Sequence, residues 1–159
     1  MLLTAGAAGL LSACGFQLRR APELRFKTIY LSGFKPYSPL LEELRRQISM
    51  TTTTRVVDAP TQAEVVLDAL TDKRDKSIVA QTTAGQVREL QLRLTLQFRL
   101  RTAGGKELIS HTELALTRDM TYNERDALGK EQEEEFLYRA MQSDISLQVL
   151  RRLAAVQTL

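Results

Sequence analysis

Arg88 to Arg101 reads RELQLRLTLQFRLR, and this alternation decides the fold. Leu90, Leu92, Leu94, Leu96, Phe98 and Leu100 share one parity, while Glu89, Gln91, Arg93, Thr95, Gln97, Arg99 and Arg101 share the other. A strand sends alternate side chains to opposite faces. One face is therefore apolar and the other polar and basic, the pattern of an antiparallel sheet covered on one side only. Ala103-Gly104-Gly105-Lys106 follows as a hairpin turn, and Lys106 to Thr117 returns as the next strand.

The cover for the leucine face comes from two amphipathic segments. Upstream, Ser38-Pro39 reads as an N-cap followed by the first helical position. Leu40, Leu41, Leu44 and Ile48 then recur at spacings of three and four. Downstream, from Glu131, Leu137, Met141, Ile145, Val149 and Leu153 recur every four residues, which predicts a long helix. Its start is acidic, with Glu131, Glu133, Glu134 and Glu135, and Arg151-Arg152 lie near its end, as the helix dipole favours. Phe26 to Leu31 reads as a first strand, Gly33 to Pro39 as a loop, Thr54 to Val57 as a brief strand, and Glu64 to Leu70 as a central one. The expected fold is a two-layer α+β sandwich, a mostly antiparallel sheet of about four strands covered on one face by two helices.

The chain has 159 residues, enough for one domain with its own core. Lys and Arg number 22 against 19 Asp and Glu, a net charge of +3. That balance permits an anionic partner without demanding one. Nucleic acid is a poor candidate because the excess is small. One cysteine excludes an intrachain disulfide framework, and with a single histidine, His111, it also excludes a Cys/His zinc cluster. No glycine-rich phosphate loop, H-E-x-x-H or G-x-S-x-G motif occurs. His111 and Glu113 share a strand parity and read as solvated strand residues. The sequence points to a non-enzymatic protein with no cofactor or metal.

The lone thiol finds its explanation at the N-terminus. Met1 to Leu11, MLLTAGAAGLL, is apolar, small and too short to span a bilayer as a helix. It has the size of a signal-peptide apolar region. Leu11-Ser12-Ala13-Cys14 resembles a bacterial lipobox, in which small residues fit the peptidase cleft and the cysteine carries diacylglycerol and an N-acyl chain. Each buried methylene contributes about 0.8 kcal/mol, so several chains on Cys14 anchor where one would not. The expected organisation is a signal peptide at 1–13, a lipidated linker at 14–24, and one α+β domain at 25–159. Gly15 stands where lipoproteins retained at the inner membrane tend to carry Asp, so the resemblance implies the periplasmic side of a Gram-negative outer membrane.

Basic residues gather in three places: Lys73, Arg74 and Lys76; Arg93, Arg99 and Arg101; and Arg118, Arg125 and Lys130. Guanidinium forks match phosphate and carboxylate oxygens, so each group could meet an anionic ligand. Each alone is more often a solvated face.

Cys14-Gly15-Phe16-Gln17-Leu18-Arg19 resembles the mature start of the LptE family of lipopolysaccharide-assembly lipoproteins. Leu128-Gly129-Lys130 before the acidic helix start, the helix ending LQVLRRL (Leu147 to Leu153) and the order of elements agree with it. The resemblance implies a plug and assembly partner for the large outer-membrane β-barrel LptD, and binding of lipopolysaccharide during its insertion into the outer leaflet. It implies Lys130 as the foremost lipopolysaccharide contact, with Arg118 and Arg125 nearby. Where the family carries a basic residue ahead of a Gly-Gln hairpin tip, Gly85-Gln86 match but Gln81-Thr82-Thr83 precede them, leaving Arg88, Arg74 or Lys76 to compensate. The alternative is an auxiliary lipoprotein adaptor of a periplasmic lipid or solute transporter.

Overall fold

The computed structural model describes residues 23–50 and 53–157. The signal peptide, Cys14 and most of the expected linker lie outside these residues. The elements in chain order are β1 (Thr28–Ser32), α1 (Pro39–Ser49), β2 (Arg55–Val57), β3 (Val65–Gln81), β4 (Val87–Thr102), β5 (Glu107–Thr121) and α2 (Ala127–Ala154), with short 3-10 turns at Pro60–Gln62 and Glu124–Asp126. They form one five-stranded sheet in the order β2-β1-β3-β4-β5, with both helices packed on one face. The two-layer α+β class is as expected, with a fifth strand.

The β4 pattern is obeyed throughout. Leu92, Leu94, Leu96, Phe98 and Leu100 are fully buried, each stabilising the fold by roughly 1.5–3 kcal/mol of transfer free energy. Above them lie Leu40, Leu44 and Ile48 of α1 and Met141, Ile145, Val149 and Leu153 of α2. The α1 start is as read: Ser38 Oγ accepts from the Leu41 N–H at 3.2 Å, and Pro39 takes the first turn. The chain enters the core early, since Leu24, expected at the end of the linker, is buried with Phe26.

Several expected boundaries are corrected. The sheet is mixed: β1 pairs in parallel with both β2 and β3, because α1 carries the chain back between β1 and β2. β3 does not end near Leu70 but runs to Gln81. A bulge hides the continuation. Ala69 faces Phe98 and Thr71 faces Gln97, so Leu70 is an extra residue that reverses the strand's parity. Beyond it Asp72, Arg74, Lys76 and Ile78 lie opposite the inward leucines Leu96, Leu94, Leu92 and Leu90. β5 continues past Thr117 to Thr121, burying Met120. α2 begins at Ala127, not Glu131, so its first turn holds no acidic residue and the glutamates sit one turn further in. There Glu134 and Glu135 meet Lys76 and Arg74 of β3, and Glu133 meets Lys130 on its own helix.

The turn after β1 requires glycine. Gly33 has φ +79°, and a Cβ there would stand 2.1 Å from the Ala69 carbonyl oxygen. β1 thus ends hard against the start of the bulge.

Candidate functional site

The far end of the sheet, away from Glu23 where the description begins, is built from two connections. In the β3–β4 hairpin the Thr82 N–H donates to Gln86 O at 2.8 Å and the Gly85 N–H to Thr82 O at 2.9 Å. Gly85 takes a positive φ of 77°, as the turn needs. In the β5–α2 connection the Tyr122 N–H donates to Arg88 O at 2.8 Å. Asn123 Oδ1 accepts from the Arg125 N–H at 3.1 Å. Between the two lies an open cavity of about 260 Å³ lined by Gln86, Val87, Arg88, Asn123, Glu124 and Arg125. Arg88 and Arg125, far apart in sequence and both exposed, share it. Two guanidinium forks around a polar recess suit a phosphate or carboxylate.

Lys130 lies at the same end in a different state. Its Nζ donates to Thr121 Oγ1 at 3.1 Å and to Glu133 Oε2 at 2.7 Å, and its side chain is only 16% exposed. It ties the start of α2 to the end of β5. Arg74, Lys76 and Arg118 form a seam between sheet and helix. Arg74 Nη1 meets Glu135 Oε2 at 3.1 Å, and its guanidinium lies 4.6 Å from the Tyr138 ring centroid. With its amide oriented by the hydrogen-bond network, Gln142 also accepts from Arg74. Lys76 Nζ meets Glu134 Oε2 at 2.8 Å, and Arg118 reaches Asp144 at 3.5 Å. Tyr138 Oη donates to Asp75 O at 2.7 Å. Burial, reinforced by the charge of Glu134, pushes the Tyr138 hydroxyl pKa up against the opposing Arg74. The structure therefore gathers Arg88, Arg125 and Lys130 at one end and spends Arg74, Lys76 and Arg118 on joining the two layers.

The uncovered sheet face is a polar ladder. Gln91 bonds Asp119 at 2.9 Å, Thr71 bonds Gln97 at 3.0 Å, and Gln97 bonds Glu113 at 2.6 Å. Asp68 accepts from Arg99 Nε at 3.0 Å and Arg101 Nε at 2.9 Å. Desolvation pushes its carboxyl pKa up, but the bonds and charges of Arg101 and Arg99 outweigh this and hold it below the ordinary value. Sequence reading missed Asp68, although its two arginines were in view. His111 is exposed beside an irregular stretch of β5. Among the described residues no group of three or more His, Cys, Asp or Glu could hold a metal, and no helix is long and apolar enough to cross a membrane.

A five-stranded mixed sheet covered on one face by two helices, with a shallow recess at one end, places the chain among small two-layer α+β domains. The family model for lipopolysaccharide assembly, LptE, matches residues 26–153, and the chain belongs to that family. It is 29% identical over 157 residues to the LPS-assembly lipoprotein LptE of Pectobacterium atrosepticum, covering 97% of this chain and 84% of that one. The LptE of Yersinia enterocolitica is 28% identical over 98% of this chain and 76% of its own. Among solved structures, an uncharacterized lipoprotein B from Nitrosomonas europaea superposes with a TM-score of 0.74 at 34% identity, covering 89% of this chain and 91% of that one. The rare lipoprotein B of Shewanella oneidensis shares the fold, with a TM-score of 0.66 at 24% identity and coverage of 80% and 94%.

Proposed function

We propose that this chain is a lipid-anchored factor of the outer membrane that seats within the LptD β-barrel and binds lipopolysaccharide through the basic end of its sheet. The observation that carries the reading is the pairing of Arg88 and Arg125 around one cavity, at the end opposite Glu23, in a member of a lipopolysaccharide-assembly family. Lipopolysaccharide presents phosphates, which arginine forks bind with two hydrogen bonds each. Lys130 holds the Arg125 connection in place and adds its charge to the same end. The polar outer face fits a water-filled lumen, since barrel interiors are polar. Cys14, upstream of residue 23, supplies the anchor. The role is one of binding and assembly, without a catalytic step.

Two measurements test it. Arg88→Ala with Arg125→Ala should weaken binding of purified lipopolysaccharide about tenfold or more, with the unfolding midpoint unchanged. Lys130→Met should weaken binding and also lower the midpoint, because the Thr121 tie is lost. Binding unchanged in the folded arginine double variant would remove this end from the site. A mild-detergent pull-down of the full-length chain from its own membranes should recover a very large outer-membrane barrel in stoichiometric amount. Recovery of transporter components without a barrel would instead support the adaptor role.

A further inference from the structure

The ribbon of β3, β4 and β5 carries a long backbone edge. β1 pairs with β3 only from Val65 to Asp68, and β1 stops at Ser32. From Thr71 to Gln81, β3 pairs with β4 on one side, and among the described residues no strand pairs with the other side. The lane that β1 occupies is thus open beyond Ser32. Register shifts at Leu70 and Val79 bracket a straight run, Thr71–Ile78. That run is about 26 Å long at the usual strand rise. Apart from the Asp75 carbonyl, which the Tyr138 hydroxyl reaches, a strand edge of this length with no neighbouring strand is a template for an added one.

Beside the lane lies a second cavity, of about 270 Å³. Lys35 and Tyr37 of the β1–α1 loop wall one side, Asp72 and Arg74 of β3 another, and Gln142 of α2 closes it. Tyr37 is 95% exposed and holds a φ of +58°. A bulky residue in that conformation is an outlier, and such strain collects where ligands are clamped. Leu70, Ile78 and Val79, about half exposed, give the edge apolar contacts at both ends.

Charge states which segment fits. Asp72 is engaged by the Ser38 hydroxyl and Asp75 by Lys73. Lys35 has no ion-pair partner among the described residues. Lys73 and Lys76 stand on the edge 60% and 49% exposed, in pairs that water already weakens. Lys73, Arg74 and Lys76 are each balanced by a carboxylate, Asp75, Glu135 and Glu134, so Lys35 is the cation left to select a strand that brings an anion. A second copy of this chain does not fit. Its own β3 would arrive antiparallel with the β3–β4 hairpin attached, and that hairpin would run into the lane filled by β1.

We propose that an acidic, extended segment of a partner polypeptide docks in this lane as an added strand along Thr71–Ile78, placing one carboxylate in the cavity against Lys35. The proposal stands apart from the barrel and lipopolysaccharide reading and can fail without it. It is tested on the full-length protein in mild detergent with an eight-residue peptide of alternating Glu and Val, and with its Lys and Val counterpart. Hydrogen exchange at the Thr71–Ile78 amides is the readout. The acidic peptide should slow exchange there and the basic one should not. Lys35→Glu, in an exposed loop, should weaken the acidic peptide by about three- to tenfold, the reach of one reversed cross-strand charge pair. A proline at the centre of the acidic peptide should abolish the protection. Equal binding of both peptides, protection on β5 instead, indifference to Lys35→Glu, or an edge already protected before peptide is added would each overturn the proposal.

Discussion

Asp68→Asn isolates one carboxylate at the root of the open sheet face. Asp68 is 13% exposed by side chain and takes two guanidinium bonds, from Arg99 and Arg101, which are 47% and 30% exposed. Charge-assisted bonds of this kind contribute roughly 1.5–3 kcal/mol each when sheltered, and the exposed arginines reduce that. The substitution keeps the shape and removes the charge, so the expected loss is about 1–3 kcal/mol for the pair together. At about 3 °C per kcal/mol for a domain of this size, the midpoint falls by about 3–9 °C. The pH dependence has a definite sign. The folded carboxyl pKa is lowered, so its stabilisation is fully present above the unfolded value of about 3.9 and is lost as pH falls through the lower folded value. Urea unfolding of both forms should show a constant gap from pH 7 to about pH 5, narrowing below about pH 4. A gap that stays flat to the acid limit of folding, or is absent at pH 7, refutes the charge argument.

Two further substitutions probe the scaffold. Gly33→Ala combines a positive φ with a Cβ placed 2.1 Å from the Ala69 carbonyl oxygen, so β1 and β3 must separate. It should cost about 2 kcal/mol or more in chemical denaturation, and a smaller loss would mean that the turn relocates. Ser146→Ala goes the other way. Ser146 Oγ is buried in α2 with no hydrogen-bond partner among the described residues, and removing it should be neutral or stabilising by up to about 1 kcal/mol; clear destabilisation would point to an ordered water on that hydroxyl.

Elements with one uninterrupted period were legible. β4 alternates without exception, and α1 carries its own cap in Ser38-Pro39. β3 was half legible because the extra residue at Leu70 reverses its faces. Beyond the bulge, charged side chains occupy inward positions whose partners lie on α2: Arg74 and Glu135 are 61 residues apart, and no local pattern joins them. The start of α2 was blurred by exposed Leu128 and Phe136, and its apolar stripe by buried Gln142 and Ser146 further along. The candidate site was legible as residue types and not as a place. Arg88 and Arg125 were both singled out, but the backbone bond from Tyr122 to Arg88 that brings them together leaves no trace in composition or spacing. Lys130 was found by resemblance, and its engagement by Thr121 and Glu133 could be seen only in three dimensions.

The 17-residue β3 makes the molecule a ruler. At the usual rise it spans about 50 Å, against about 30 Å for the hydrocarbon core of a bilayer. On the anchoring proposed above, the Arg88–Arg125 recess stands at the end of this ribbon away from residue 23. The two register shifts at Leu70 and Val79 then act as graduation marks. Adding or removing two residues in each of β3, β4 and β5 between them would keep every face as it is and move the recess by about 7 Å. Length along this ribbon is thus a quantity that selection can adjust without touching the chemistry at its end.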